Sequence, residues 1–505
     1  GELRYAKDVS QRDHQMKTLK LFVALIGAVL GYAEIQAATR YVNSALIDGS
    51  GANNGTSWAN AWTNLTRVTG LTGGDTVYIS GGAAGNTNDY TVSYFGNASN
   101  CKNGTAGTGI ITYKIGQDSG HNGGVARFTT TSSMIDTCSY MTFSGDAGDG
   151  LMHFEFANTT NKYCFTDTSQ GLTAFLFEYV NCGEQPAPFC RVQGGKDFEV
   201  RYVYYKKLVD PILDHAVNAA GASTNASFDL IKIHHSTFIT PQQTNTGTGN
   251  DILKSGGYGV SYYNNNLITY PVPSDPTGQH ADGWQPGSAR YAKFYNNYVQ
   301  DVGGYGVYLE AISTSTGYYD TYIYNNVFVH TGQFTSGSTY AITCGPKEPG
   351  MTFSNVVIAN NTIVDYTSTG SAGAIDIGDV GADNGWFTNC IVANNIAINA
   401  GIIRETDDAD GIAMLNNIAT NATSMFTSYT LYSTNNNYQL VAGATDYIGT
   451  GTNMSAFYTA DKIGVSWAGV YDLGALKYVG GGGGSTLTRS IRNGTQTSSG
   501  RVVWQ

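Results

Sequence analysis

Tyr324-Asn325-Asn326-Val327-Phe328-Val329 sets an asparagine pair before a short run of strand-forming residues, and the arrangement returns along the second half of the chain. The other copies are Tyr263-Asn264-Asn265-Asn266-Leu267-Ile268, Tyr295-Asn296-Asn297-Tyr298-Val299, Ala359-Asn360-Asn361-Thr362-Ile363-Val364, Ala393-Asn394-Asn395-Ile396-Ala397-Ile398 and Leu415-Asn416-Asn417-Ile418. With the last asparagine of each copy as marker (266, 297, 326, 361, 395, 417), the intervals are 31, 29, 35, 34 and 22 residues. Such a period marks a solenoid, whose coils bury their apolar face only against neighbouring coils. Val, Ile, Tyr and Thr surround the pairs and amphipathic helical stretches are nearly absent, so the coils are built of strands. Stacking sets like residues one strand spacing apart, about 4.8 Å. An inward asparagine column at that spacing hydrogen-bonds along the stack and satisfies the amides buried at each corner. The expected fold is all-β, a parallel β-helix.

Composition agrees with a turn-rich β protein. Of 505 residues only 13% are charged, against 64 Gly and 35 Tyr. The net charge of −11 argues against nucleic acid as partner. It leaves an acidic glycan open, because a local cation or bound Ca²⁺ dominates a cleft. The tyrosines suit stacking on sugar faces, or simply serve as strand residues with a wet tip. Seven cysteines (101, 138, 164, 182, 190, 344, 390) show no metal spacing, and only Cys182 and Cys190 are placed to close a small loop.

The chain start reads as a targeting segment. Lys17 and Lys20 follow Met16, an apolar run covers Leu21 to Leu30, and Ala37-Ala38 precede Thr39. This is the pattern of a secretory signal peptide over 16–38, too short in its apolar run for a membrane span. Residues 1–15 read as an upstream segment outside the fold. The expected location is secreted, extracellular or at the cell surface, with no membrane span.

Tyr41-Val42-Asn43, the loop Asp48 to Thr56, Ser57-Trp58-Ala59-Asn60-Ala61-Trp62 and Gly73-Gly74-Asp75-Thr76-Val77-Tyr78-Ile79 follow. This succession resembles the opening of right-handed parallel β-helix proteins of the pectate-lyase-like superfamily. The resemblance implies a capped first coil, and the repeat period gives about ten to thirteen coils between residues 75 and 475. Asp472-Leu473-Gly474-Ala475-Leu476-Lys477-Tyr478 resembles the closing segment of such helices. The β-helix domain is thus placed at 39–478, with a Gly-rich linker and short tail over 479–505. The superfamily holds lyases, hydrolases, esterases, epimerases and adhesins, so fold alone leaves function open.

Alignment on the asparagine pair brings a further short strand of each coil into register: Leu213-Asp214, Leu253-Lys254, Trp284-Gln285, Val307-Tyr308, Ile342-Thr343, Ile375-Asp376 and Ile403-Arg404. Strand alternation turns the apolar member inward and leaves Asp214, Lys254, Gln285, Tyr308, Thr343, Asp376 and Arg404 as an outward strip. Asp251 and Asp282 fall three positions earlier on adjacent coils, close enough to share a cation such as Ca²⁺. His280 precedes Asp282 in a segment similar to the "H-x-D-G-I-Q" coil of secreted carbohydrate-active β-helices. His215, Arg290 and Glu310 lie nearby in sequence, and His234-His235 brings the histidines of this region to four of the eight.

The chemistry that suits these groups is β-elimination on an acidic polysaccharide. It needs a base for the proton α to the uronate carboxyl and a cation to neutralise that carboxyl. Lys254 or His280 is the expected base, and Tyr308 or His215 the donor to the leaving oxygen. Asp214, His215, Gln285, Arg290 and Glu310 are expected to bind substrate. Ile252-Leu253-Lys254-Ser255 resembles the lysine coil of the alginate lyase and chondroitinase B type, although Gln285 stands where that family has a partner arginine. Plainer structural readings accompany each assignment: Lys254 in a surface ion pair, Asp282 shaping a turn before Gly283, and one of His234 and His235 stacking. A glycoside hydrolase is the second enzymatic reading. The non-catalytic alternative is a glycan-binding or structural β-helix that self-associates through its ends.

Overall fold

The computed structural model describes residues 37–479 except 47–50, 93, 97–101, 131–132, 137–138, 159–162, 168–172, 186–187, 208–216, 222–226, 242–250, 256–257, 271–281, 312–316, 332–339, 347–351, 367–372, 379–386, 402 and 406–410, together with the backbone of 494–496 and 502–504. The chain winds as a parallel β-helix with three faces. The first face runs from Thr39–Val42, paired with Thr76–Ile79, to Ile412–Leu415. The second runs from Thr87–Thr91 to Ile418–Thr420, and the third from Phe95–Gly96 to Ile403–Glu405. All pairings along these faces are parallel, because each strand meets its neighbour one full coil later.

The regular part is about seven turns, carried on the first face by Ile231–His234, Val260–Tyr263, Ala289–Tyr295, Gly317–Tyr324, Thr352–Ala359, Cys390–Ala393 and Ile412–Leu415. Earlier coils stack on it less regularly, with Thr173–Gln185 and Cys190–Lys207 running as single long strands around the corners. The number of regular turns is therefore below the ten to thirteen expected.

The asparagine pair divides two tasks between its members. The first residue turns the corner in the left-handed region: φ is 55° at Asn264, 57° at Asn296, 56° at Asn325, 51° at Asn360, 60° at Asn394 and 51° at Asn416. Asparagine tolerates this conformation better than other residues that carry a side chain. The second residue points inward and bonds up the stack. Oδ1 of Asn326 accepts the backbone N–H of Asn297 at 2.9 Å, Asn361 serves Asn326 at 3.0 Å, Asn395 serves Asn361 at 2.9 Å and Asn417 serves Asn395 at 3.1 Å. Each Nδ2 also donates to a carbonyl of the preceding coil, as Asn326 does to Phe294 at 2.8 Å. In the triplet copy the column member is Asn265, one residue before the marker, while Asn266 starts the next strand opposite Tyr298. Before that copy the corner is turned by Tyr179, Tyr202 and His235 at φ 54°, 53° and 51°, and Ser236 takes the ladder position, its hydroxyl accepting Val203 N–H at 3.1 Å.

Inside, the coils stack aromatic on aromatic; Trp284 lies 5.3 Å from Phe294 with the rings nearly parallel. At the first coil Trp62, Leu65 and Val68 join the core. Trp58 stays outside, stacked 3.7 Å from the His121 ring and donating to Asp118. Cys164, Cys182, Cys190, Cys344 and Cys390 are buried thiols, so Cys182 and Cys190 do not close the expected loop; Cys101 and Cys138 lie outside the described residues.

The segment 443–478 runs back along the asparagine corner. Asn325 Nδ2 donates to Ala460 O, Asn360 to Asp472 O, and Asn394 to Thr452 O, each at 2.8 Å. Gly474, at φ 80°, comes so close to the coil that a Cβ there would meet Thr362 Oγ1 at 2.7 Å. Lys462 is half-buried in this strap and its ammonium donates to the Asn296 carbonyl. Burial pushes the Lys462 amine down to about 7, against the pull of Asp461.

Two outcomes follow. Asn326→Leu leaves the Asn297 N–H without a partner in the core, so urea unfolding should show a loss of about 1–3 kcal/mol. Because the unfolded lysine titrates near ~10.4, stability should climb as pH rises from about 7 to about 10 and stay level with respect to this group below that window. Lys462→Met should flatten the climb in the same urea series.

Candidate functional site

On the third face the strand register is direct. Lys254 pairs with Gln285, Trp284 with Val307, Tyr308 with Thr343, Thr343 with Asp376, and Asp376 with Arg404. The apolar partners Leu253, Trp284, Val307, Ile342 and Ile375 are fully buried, so the other members form the outward strip that strand alternation predicts. One position differs. The residue before Lys254 in the column is Asn218, and Arg191 precedes Asn218. Asp214, assigned there from sequence, lies outside the described residues, as do His215 and His280. The missing asparagine pair in the earlier coils is why the alignment slipped.

Lys254 reaches solvent with 40% of its side chain exposed, while Asp251 beneath it is buried, its Oδ2 4.0 Å from Nζ. Asp251 and Asp282 sit on adjacent coils as expected. Oδ1 of Asp251 accepts Asp282 N–H at 3.2 Å, and Oδ1 of Asp282 accepts Tyr305 N–H at 2.8 Å. Each carboxylate therefore ties its own coil to the next. Among the described residues no three His, Cys, Asp or Glu side chains gather as ligands for an ion.

Tyr308 is on the strip but nearly covered, with the Tyr305 ring stacked 4.3 Å away. Tyr305, not singled out from sequence, keeps partial exposure. Burial, then Asp282 and Tyr340, push its phenol up to about 12. Arg290 is around the corner on the first face, in column with Tyr319, its guanidinium 4.3 Å from that ring and 5.7 Å from Tyr258. Glu310 falls two residues past Tyr308 on the same strand, opposite Gly345.

His234 and His235 are not on this face. His234 stacks on Tyr263 at 4.4 Å, and the pile continues through Tyr295 and Tyr324 to Tyr458 of the strap. These tyrosines cover one another's faces, which leaves edges rather than platforms for sugars. Beside them Glu199 accepts from His234 at 3.2 Å, Lys232 at 2.6 Å and Arg201 at 2.9 Å, and Arg201 also holds Glu178. The hydrogen bond from His234, then Lys232, holds the Glu199 carboxyl at about 2 despite burial. This girdle satisfies its own charges, and because its members come from three coils no sequence spacing marks it.

No family model matches the chain, and no curated protein is similar to it by sequence. Among solved structures it is similar to the pectate lyase Pel9A (13% identity, 88% of this chain and 98% of that one, TM-score 0.39). It is also similar to a mutant of the PL6 family alginate lyase AlyGC (14%, 70% and 49%, TM-score 0.40) and to a rhamnogalacturonan lyase (12%, 81% and 97%, TM-score 0.41). No helix among the described residues is long and apolar enough to cross a membrane.

The two kinds of residue here separate by stability. Asp282→Ala should lower unfolding free energy by about 1–3 kcal/mol through the orphaned Tyr305 N–H. Lys254→Ala should stay within about 0.5 kcal/mol of the parent. Denaturant titration of both variants checks the assignment.

Proposed function

We propose that the chain is a secreted, lyase-like enzyme that cleaves an acidic polysaccharide by β-elimination along the third-face strip. Lys254 carries the reading: its solvent-reaching amine stands in column with Gln285 and Thr343 over a buried carboxylate. An ammonium beside a carboxylate and open to water suits neutralising a uronate carboxyl better than it suits a desolvated lysine base. Neutralisation makes the proton on the adjacent carbon removable. A base takes that proton, the electron pair becomes a ring double bond, the bond to the glycosidic oxygen breaks and that oxygen takes up a proton. His280, in the same coil as Gln285, is assigned as the base. Tyr305 holds its proton at neutral pH and is assigned as the donor, in place of the covered Tyr308. Gln285 and Glu310 are assigned as substrate contacts, with Asp214 and His215, and Arg290 would meet the glycan only past the corner on the first face.

Ca²⁺ remains a candidate cofactor at Asp251 and Asp282, though the reaction above does not require it. The leader pattern over 16–38 supports export. One observation favours the non-catalytic reading: the last coil leaves Leu415 38% exposed, with Ile412, Met414 and Ile418 only half-buried, an apolar end suited to another coil.

The chain from Thr39 onward, given a panel of uronate polysaccharides with Ca²⁺ or a chelator, should release products with the ultraviolet absorbance of the new double bond. Lys254→Ala should cut the rate about 10²–10³-fold and Tyr305→Phe about 10²-fold. Loss of activity with chelator would assign the ion a role. No double bond and no new reducing ends on any glycan, with self-association abolished by Leu415→Glu, would establish the scaffold instead.

A further inference from the structure

Arg191 occupies the third-face column two coils before Lys254, through Asn218. Its strand neighbours Cys190 and Val192 are fully buried, so the arginine belongs to the outer side of the strand. Several other cations of this half of the molecule are engaged: Arg127 with Glu155, Arg201 with Glu178 and Glu199, Lys232 with Glu199, and Arg290 with two tyrosine rings. Arg191 is different. Among the described residues its Nε is buried and meets no hydrogen-bond partner. Among the described residues no carboxylate pairs with this guanidinium, and a guanidinium left so binds an oxyanion by charge-assisted hydrogen bonds.

Two strand spacings separate Arg191 from Lys254, about 10 Å. That is close to the length of a disaccharide in an extended glycan. The position between them, Asn218, is uncharged, and so are the next three beyond Lys254: Gln285, Tyr308 and Thr343. Over this stretch the column thus offers two positive charges, two coils apart, with amides or hydroxyls between and beyond them. A homopolymer of uronate would set a carboxylate opposite position 218, where no cation answers it.

We infer that Arg191 is a second carboxylate-binding position of the strip, and that the strip is matched to a glycan bearing a carboxyl on every second sugar, extended along the helix axis. This rests on the acidic-glycan reading of Lys254 and adds a specificity to it. Arg191 holds one uronate, Lys254 the uronate at the cleaved bond, and the neutral sugar between them faces Asn218.

The test is equilibrium binding of two polymers of matched length at low salt: hyaluronan, in which uronate alternates with a neutral sugar, and polygalacturonate. The parent should bind hyaluronan more tightly. Arg191→Gln should weaken that binding at least tenfold without changing the urea midpoint. Asn218→Lys should strengthen polygalacturonate at least tenfold while leaving hyaluronan within about threefold. Unchanged affinity in Arg191→Gln, or tighter parent binding to polygalacturonate, overturns the inference while leaving the acidic-glycan reading intact. If neither polymer binds the parent, both fall together.

Discussion

A backbone N–H buried at a solenoid corner has no strand partner, and the inward asparagine column supplies one at every regular turn. From Asn265 to Asn417 each ladder side chain accepts an amide from its neighbour's backbone and donates back across the stack. An isolated buried amide of this kind costs about 1–3 kcal/mol, so a coil cannot slip by one residue without forfeiting several such bonds. A slip would also turn every core residue outward. The ladder therefore sets the register on all three faces, including the face where Lys254 stands.

The outer member of each pair has a second consequence. Having taken the left-handed turn, its amide faces away from the core, and there it anchors the strap 443–478 along Asn325, Asn360, Asn394 and Asn416. One sequence motif thus builds both the interior column and the dock for the returning chain. Lys462, carried into that dock with its ammonium on the Asn296 carbonyl, makes the contact dependent on pH.

The third face shows how a charge-poor chain concentrates function. Its carboxylates at the corner, Asp251 and Asp282, bind backbone between coils, while Lys254, Gln285, Thr343 and Asp376 of the column reach water. The charged girdle of Glu178, Glu199, Arg201 and Lys232 on the first face has more ionisable groups, but each is already answered by another. Number of charges is a poor guide to a site; unanswered charge is a better one.

The Asn-pair period and the alternation around it were enough to determine a parallel solenoid, its inward asparagines, and the strip Lys254, Gln285, Tyr308, Thr343, Asp376, because these depend on residue type at fixed spacing. Where the corner is turned by Tyr202 or His235 the spacing signal disappears, and only the folded register places Asn218 and Arg191 in the column. Only tertiary structure could separate His234 and His235 from Lys254, since sequence proximity does not say which face a residue reaches. The same holds for burial: Tyr308 and Tyr305 look alike in the chain, but stacking covers one and leaves the other at the surface. Local periodicity decides which residues point outward; the packing of neighbouring coils decides which of those remain available for chemistry.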